Sequence, residues 1–328
     1  MKTYILKLKQ KSGLLTDLQS DTIYGHFCWR LKEKFGVNAL DKFLDLYKNQ
    51  KPVFLLSDGL LEVNNDIYFP LPLIFENLET KTNKFEKVLD FVDRKRKKER
   101  TYLTLSELNH FLSTGEIKLN ELNSGSSDHR KHKKQKSTKR IIEESLRVSV
   151  QIDRISFSSA EGKLFSYKPK FSRHDVFYVV LIKVLNEDNY SEFHCEEILE
   201  ETFIIGFGKK KSSGYGQFDV VDYSEFSSIQ EASGSNYFLV LGNYLPSNDD
   251  MISPINYDIN IKYGRFGEEL ALSANPFKNP IVFLTAGSCF KTKNKKDFYG
   301  RITTQGEISA VNDFAVQFGI PFILHFND

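Results

Sequence analysis

The densest chemistry in the sequence lies between Phe203 and Phe218, which reads Phe-Ile-Ile-Gly-Phe-Gly-Lys-Lys-Lys-Ser-Ser-Gly-Tyr-Gly-Gln-Phe. Its four glycines form two Gly-x-Gly pairs, Gly206/Gly208 and Gly214/Gly216, around Lys209, Lys210, Lys211, Ser212 and Ser213. Glycine lets the backbone take positive φ and lets a ligand come close to the main chain. The lysines add positive charge and the serines small hydrogen-bonding groups, a make-up suited to a run of phosphates. It is not a nucleotide P-loop, which needs Gly-x-x-x-x-Gly-Lys-Ser/Thr. Nor is it a dinucleotide fingerprint, since the third glycine falls on Lys211 and that motif opens a helix after a strand. The plain alternative is a glycine-rich surface turn. Phe207 and Tyr215 sit beside the glycines. They would either stack on bases or anchor the loop to the core.

A second candidate is His26 with Arg30, one helical turn apart. Metal-free RNA cleavage needs a general base near the 2′-hydroxyl and a cation for the phosphorane charge, and this pair supplies both types. A surface histidine that packs or hydrogen-bonds is the competing explanation. Arg154 offers one more phosphate contact. His129-x-x-His132 has metal-like spacing, but it lies among lysines that would repel a cation. There is no Gly-x-Ser-x-Gly elbow and no paired-carboxylate signature. Cys28, Cys195 and Cys289 are far apart, with no Cys-x-x-Cys. No metal and no cofactor are therefore expected.

The elements that must position the loop follow from periodicity. Cys195, Ile198, Leu199, Thr202 and Phe203 recur at helical spacing, so a helix runs into Gly206. Phe218 and Val220 alternate with Gln217 and Asp219, so a strand leaves it. The helix thus presents its partly negative carbonyl end, and anion binding falls to the lysines and the loop amides. Tyr4, Leu6 and Leu8 read as a first strand. Ser20 or Asp21 caps a helix with the buried stripe Tyr24, Phe27, Cys28, Leu31 and Phe35, ended by Gly36. A helix over about 40–47, a strand over 52–56 and a hairpin turned at Asn64-Asn65 come next. Residues 73–146 read as an insertion, a basic thumb. It has charged runs at 94–100 and 130–140, a helix over 105–112 and a polar stretch over 123–139 expected to be disordered. It would grip RNA backbone or stay a solvated loop. Strands follow at 147–155, 162–167 and 177–184.

Strand, helix, strand, hairpin strand, helix, strand is the ferredoxin-like order, whose sheet is the platform of RNA-recognition folds. After a polar stretch over 224–235, strands at 237–241, 257–261 and 280–284 lead to a helix through Ile308, Val311, Ala315 and Phe318. A last strand covers 322–326. The expected fold class is α+β, two tandem ferredoxin-like (RRM-like) units over 1–223 and 236–328, with the glycine-rich loop at 204–218.

The 328 residues suffice for two domains with real cores. The formal net charge of +2 leaves any basic surface local rather than global. The N-terminal residues lack a signal-peptide core and no apolar run approaches a membrane span, so a cytoplasmic protein without a membrane partner is expected.

The spacing of the glycine pairs between helix and strand resembles the glycine-rich loop of the RAMP superfamily of CRISPR proteins. Within it, several stretches are similar to the subunit-four family of the type III-A effector, the Csm complex. These are Met1–Leu8; Ser20-Asp21-Thr22-Ile23-Tyr24-Gly25-His26-Phe27-Cys28-Trp29; Arg147-Val148-x-Val150-x-Ile152-Asp153-Arg154; and Gly162-x-Leu164-Phe165. Phe277-Lys278-x-Pro280, Ala286-Gly287-Ser288, Phe290 and Gly319-x-Pro321-Phe322 complete the resemblance. It implies a non-catalytic RNA-binding subunit, active in antiviral defence, that holds the 5′ handle of the guide (cr)RNA. It also implies contact with the large polymerase-like subunit and the backbone RAMP subunits, with the thumb near target RNA. Gly206–Gly216, His26, Arg30 and Arg154 would line the RNA path. The enzyme alternative is a metal-independent endoribonuclease that processes repeat RNA.

Overall fold

The computed structural model describes residues 1–74, 100–118, 141–232, 234–267, 275–303, 306–309 and 315–328. The basic runs, apart from Arg100, lie outside the described residues, as do the polar stretch 123–139 and the histidines at 129 and 132.

Strand β1 (Lys2–Gln10) is an inner strand of the first sheet. Its alternation buries Leu6 and Leu8 toward one side and Ile5 toward the other, so it carries core on both faces. Helix α1 (Ser20–Phe35) and helix α2 (Val37–Lys48) follow. Tyr24, Phe27, Cys28 and Leu31 of α1 are buried as their spacing requires. Phe35 is not part of that stripe: it is exposed and stacks on His194, ring centres 5.0 Å apart. Ser20 and Asp21 are not caps either. Gln19 holds the capping position, and Asp21 sits buried in the first turn.

Strands β2 (Phe54–Leu56), β3 (Leu60–Val63), β4 (Asp66–Pro70) and β5 (Tyr102–Thr104) come next. Asn64 and Asn65 join β3 to β4, with φ of 53° and 65°, the left-handed pair that a two-residue hairpin needs. Helix α3 (Leu105–Thr114) starts at a Thr104/Glu107 capping box and stops at Gly115. A short pair, β6 (Ile142–Glu144) with β9 (Lys170–Ser172), brackets a ribbon of β7 (Arg147–Ile152) and β8 (Ser159–Tyr167). Strand β10 (Val176–Val184), helix α4 (Glu187–Glu192), helix α5 (Cys195–Ile205) and strand β11 (Phe218–Glu225) finish this half. The antiparallel sheet runs β11-β1-β10-β3-β4-β5, with β2 also on β10. Helices α1 and α5 bury their stripes against Leu6, Leu8, Val180 and Ile182 on one face.

The second half is built on the sheet β13-β16-β12-β19, from β12 (Tyr237–Val240), β13 (Ile252–Asn256), β16 (Cys289–Thr292) and β19 (Ile323–Phe326). Two further pairs are β14 (Ile259–Lys262) with β15 (Ile281–Leu284), and β17 (Arg301–Ile302) with β18 (Phe318–Gly319). No α-helix occurs among its described residues. The helix expected through Ile308, Val311, Ala315 and Phe318 is not seen at its described positions: Phe318 is a strand residue paired with Ile302, and Ala315 and Ile308 are not helical, while Val311 lies outside the described residues. Leu239, Leu241, Phe322 and Leu324 pack on Ile5, Val179 and Leu181. The face of the first sheet that carries Ile5, Val179 and Leu181 is therefore covered by α3, through Leu108, Phe111 and Leu112, and by the protein's own second half. The class is α+β with antiparallel sheets, as expected.

The halves are also joined by a buried polar knot at the start of α1. The Lys262 ammonium lies 2.6 Å from the Asp21 carboxylate. Asn243 and Gln317 also donate to that carboxylate, Asn243 at 2.8 Å. This fixes α1 at its first turn and so sets where His26 points. Among the described residues no helix is long and apolar enough to cross a membrane. The three cysteines are buried as free thiols, and burial pushes each well above its ordinary pKa.

Candidate nucleic-acid interface

The interface is built where α5 ends. Its five spaced residues, Cys195, Ile198, Leu199, Thr202 and Phe203, are all buried. The Thr202 hydroxyl stays satisfied in that apolar face by donating to Ile198 O at 2.8 Å. Gly206 stops the helix. Phe207 then turns inward, fully buried, and stacks on Phe203 at 5.8 Å between ring centres. Of the two roles open to Phe207, the structure gives it the anchor.

Main-chain bonds lock both ends of the loop. Phe207 N–H donates to Gly216 O at 2.8 Å, and Gly216 N–H donates to Gly13 O at 2.9 Å. Here glycine is obligatory. Gly216 has φ of 69°, and a Cβ on it would lie 2.0 Å from Phe207 O. At Gly208 a Cβ would lie 2.5 Å from the Thr16 side chain. The β1–α1 connection is the other wall: Lys209 N–H donates to Thr16 Oγ1 at 2.9 Å, and Gln217 N–H donates to Ser12 Oγ at 2.9 Å.

His26 belongs to this scaffold. Gly208 N–H donates to His26 Nε2 at 3.0 Å, and the imidazole packs on the Phe207 ring at 4.7 Å. The bond needs the Nε2 lone pair, so it holds the ring in the tautomer with the proton on Nδ1. Arg30 turns to Glu33 in an ion pair on the same helix. The structure thus brings His26 to the loop and ties Arg30 to a carboxylate. Arg154 is exposed at the tip of the β7–β8 ribbon. Tyr167, at the ribbon's base, pairs with Arg147, and at about 3.3 Å per residue the tip lies on the order of 20 Å from it.

Between the locked ends the loop faces outward. Lys209, Ser212, Ser213 and Gly214 are exposed, and Lys210 and Lys211 half-buried. A 3-10 turn, Lys211–Ser213, uses the amides there: Ser213 N–H donates to Lys210 O and Gly214 N–H to Lys211 O, at 2.9 and 3.0 Å. Most loop amides are therefore spent inside the protein. The share of anion binding expected from them passes to the lysine side chains.

Lys210 does not extend into solvent. Its ammonium sits 3.5 Å from the centre of the Tyr167 ring and 5.5 Å from that of Phe165, both on β8. The phenol oxygens of Tyr167 and Tyr215 are 3.3 Å apart, and Ser149 donates to that of Tyr167 at 3.4 Å. These hydrogen bonds, from Ser149 first and then Tyr215, together with the Lys210 charge, bring the Tyr167 phenol down to about 8. Tyr215 moves up, because of its bond to Tyr167. Sequence reasoning missed Ser12, Gly13, Thr16, Phe165 and Tyr167 as parts of this site. The only local hint was the glycine of Ser12-Gly13. Among the described residues no group of His, Cys, Asp and Glu could hold a metal ion.

No family model matches the sequence, and no curated protein matches it. Solved structures do match by fold. A chain of the Csm3-Csm4 subcomplex in the type III-A CRISPR-Cas interference complex superposes with a TM-score of 0.61 at 19% identity, covering 100% of both chains. A chain of the Csm1-Csm4 cassette in complex with pppApA gives 0.60 at 14% identity, covering 100% of this chain and 98% of that one. The same cassette in complex with cA4 gives 0.59 at 14% identity over 99% and 98% of the two chains. Csm4 is the component these assemblies share, and from end to end the fold of this chain resembles that of the Csm4-like RAMP proteins of type III-A CRISPR systems.

Proposed function

We propose that this protein is a non-catalytic RNA-binding subunit of a type III-A CRISPR effector complex, working in the cytoplasm in antiviral defence. It holds the 5′ handle of the guide (cr)RNA along Gly206–Gly216. The observation that carries this reading is the division of the loop: both ends are locked to the core, and the lysine-bearing middle is pushed outward. A backbone held at two points presents its cations at fixed spacing, which suits a ribose-phosphate chain. Lys209 is the first phosphate contact, with Lys211, Ser212 and Ser213 beside it. In this reading the order β11-β1-β10-β3 is the ferredoxin-like core of the first unit and the second half is a diverged copy. The insertion over 73–146 is a thumb that reaches target RNA. The large polymerase-like subunit and a backbone RAMP subunit are the protein partners, as the assemblies in which similar folds are found support.

The role of His26 supports binding over cleavage. A general base needs a free lone pair aimed at the 2′-hydroxyl, and the Nε2 lone pair accepts the Gly208 amide. Replacing Lys209, Lys210 and Lys211 together by Glu is expected to abolish guide occupancy in the purified complex. Guide RNA retained at the wild-type level would refute the role of the loop. Incubation with repeat RNA in EDTA is expected to leave the RNA intact. Site-specific cuts lost in His26→Ala would replace this reading with the endoribonuclease.

A further inference from the structure

The β7–β8 ribbon has two chemically different faces. Cross-strand partners on one face are Ser149 with Phe165 and Arg147 with Tyr167. The other face carries Val148, Val150, Ile152 and Leu164, all exposed. Successive side chains alternate across a strand, so aromatic and cationic groups are sorted from aliphatic ones. The Lys210 contacts put the aromatic face on the side of the glycine loop.

That face has the parts of a site. Phe165 is 48% exposed and Tyr167 half-buried. Neither ring is used in the apolar core. The Tyr167 ring is oriented at its hydroxyl end by Ser149 and Tyr215, and Tyr215 meets it edge-on, ring centres 5.7 Å apart. Lys210 rests on these rings rather than on a carboxylate. An exposed cation–π contact is weak, so the ammonium is easily exchanged onto a stronger anion one residue from Lys209.

We propose that Phe165, Tyr167 and Lys210 form a subsite for one unpaired nucleotide, its base stacked on the aromatic pair and its phosphate taken by the Lys210 ammonium. This rests on the reading that RNA backbone lies along the loop. It adds a base-dependent contact from the ribbon to the charge contacts of the lysines. Stacking is tolerant of base identity, because every base has a π-face, so the subsite favours single-stranded over paired RNA without choosing a sequence. The two phenols and the serine orient the stack.

The test uses the purified full-length chain with fluorescein-labelled oligouridylate and with the same ribose-phosphate chain lacking its bases. Wild type is expected to bind oligouridylate roughly tenfold more tightly than the abasic chain. Phe165→Ala with Tyr167→Ala is expected to remove that difference. Lys210→Met is expected to weaken both about equally. Tyr167→Trp is expected to keep the preference, which separates stacking from folding, and unfolding curves confirm that each variant is native. A double-alanine variant that keeps the full preference for bases overturns the subsite alone. Wild type that binds neither chain overturns the loop reading and the subsite with it.

Discussion

At its ends the loop Gly206–Gly216 is held by long-range bonds from its amides, to the Gly13 carbonyl and to the side chains of Thr16 and His26, and just past it Gln217 N–H donates to Ser12 Oγ. In its middle it is held by a local 3-10 turn and a lysine resting on two rings. The same glycine-rich composition thus serves two purposes. At Gly216 and Gly208 the missing side chain is a packing requirement, since a Cβ would meet protein at 2.0 and 2.5 Å. At Gly214 nothing lies within 4 Å of the same atom, so glycine serves only the turn. A binding loop needs both: fixed ends that set the position, and an unencumbered middle that meets the ligand.

Substitutions should therefore split by position. The largest effect is expected at Gly216→Ala, where a φ of 69° and a clash with the Phe207 carbonyl act together. A loss on the order of 3 kcal/mol in urea unfolding is expected. Gly214→Ala, at φ of 83° and in open space, should cost only about 1 kcal/mol. Equal costs at the two sites would erase the distinction between ends and middle. His26→Ala comes next. It leaves the Gly208 amide without its acceptor and unstacks Phe207, for about 1–2 kcal/mol. His26→Gln, which keeps an acceptor on a similar stem, should recover part of that in thermal unfolding.

Lys209→Glu tests the middle alone. The side chain is exposed, so stability should stay within about 0.5 kcal/mol of wild type. RNA affinity should fall, and the slope of log affinity against log salt should become shallower by about 0.7, the loss of one phosphate contact on a single strand. An unchanged slope would mean that Lys209 faces away from the RNA.

What sequence could reveal followed the same division between local and distant. The stripe of α5 was legible because helical spacing is a local property, and so were the alternation of β1 and the turn at Asn64-Asn65. The glycine loop was legible as composition. Its anchors were not: Thr16 meets Lys209 from 193 positions away, and His26 meets Gly208 from 182. No periodicity records such pairings. Ser20 or Asp21 reads as a helix cap, as small polar and acidic residues at helix starts often are, but which cation Asp21 would pair with was not legible, since Lys262 lies 241 positions on. The helix read through Ile308 and Phe318 shows how sparse apolar spacing misleads: Phe318 has its partner in Ile302, across a strand pair. The cover on the Ile5 face of the first sheet is just as distant, since Leu239, Leu241, Phe322 and Leu324 come from the other half of the chain.

The smallest expected effect is the one that tests whether ribbon and loop act together. Tyr167 carries a phenol brought to about 8 by Ser149, Tyr215 and Lys210, below the ordinary value of about 10. A depressed folded-state pKa adds stability that is full above the unfolded value and is lost as pH falls through the folded value. From about pH 8 to 10, then, ionisation favours the folded contact between Tyr167 and Lys210. For RNA the sign is opposite, because a phenolate beside the loop repels phosphate and keeps the Lys210 ammonium for itself. Tyr215 from the loop and Arg147 from the neighbouring strand are the other titratable groups at this corner. Tyr215 shifts up, so it does not reverse the trend. Affinity for single-stranded RNA should weaken two- to threefold from about pH 7 to about pH 9 in wild type, an effect of one partly screened charge. Tyr167→Phe keeps the ring and loses the proton, and its affinity should stay level over that range. A parallel decline in both proteins would place the titrating group elsewhere and would uncouple the ribbon from the loop.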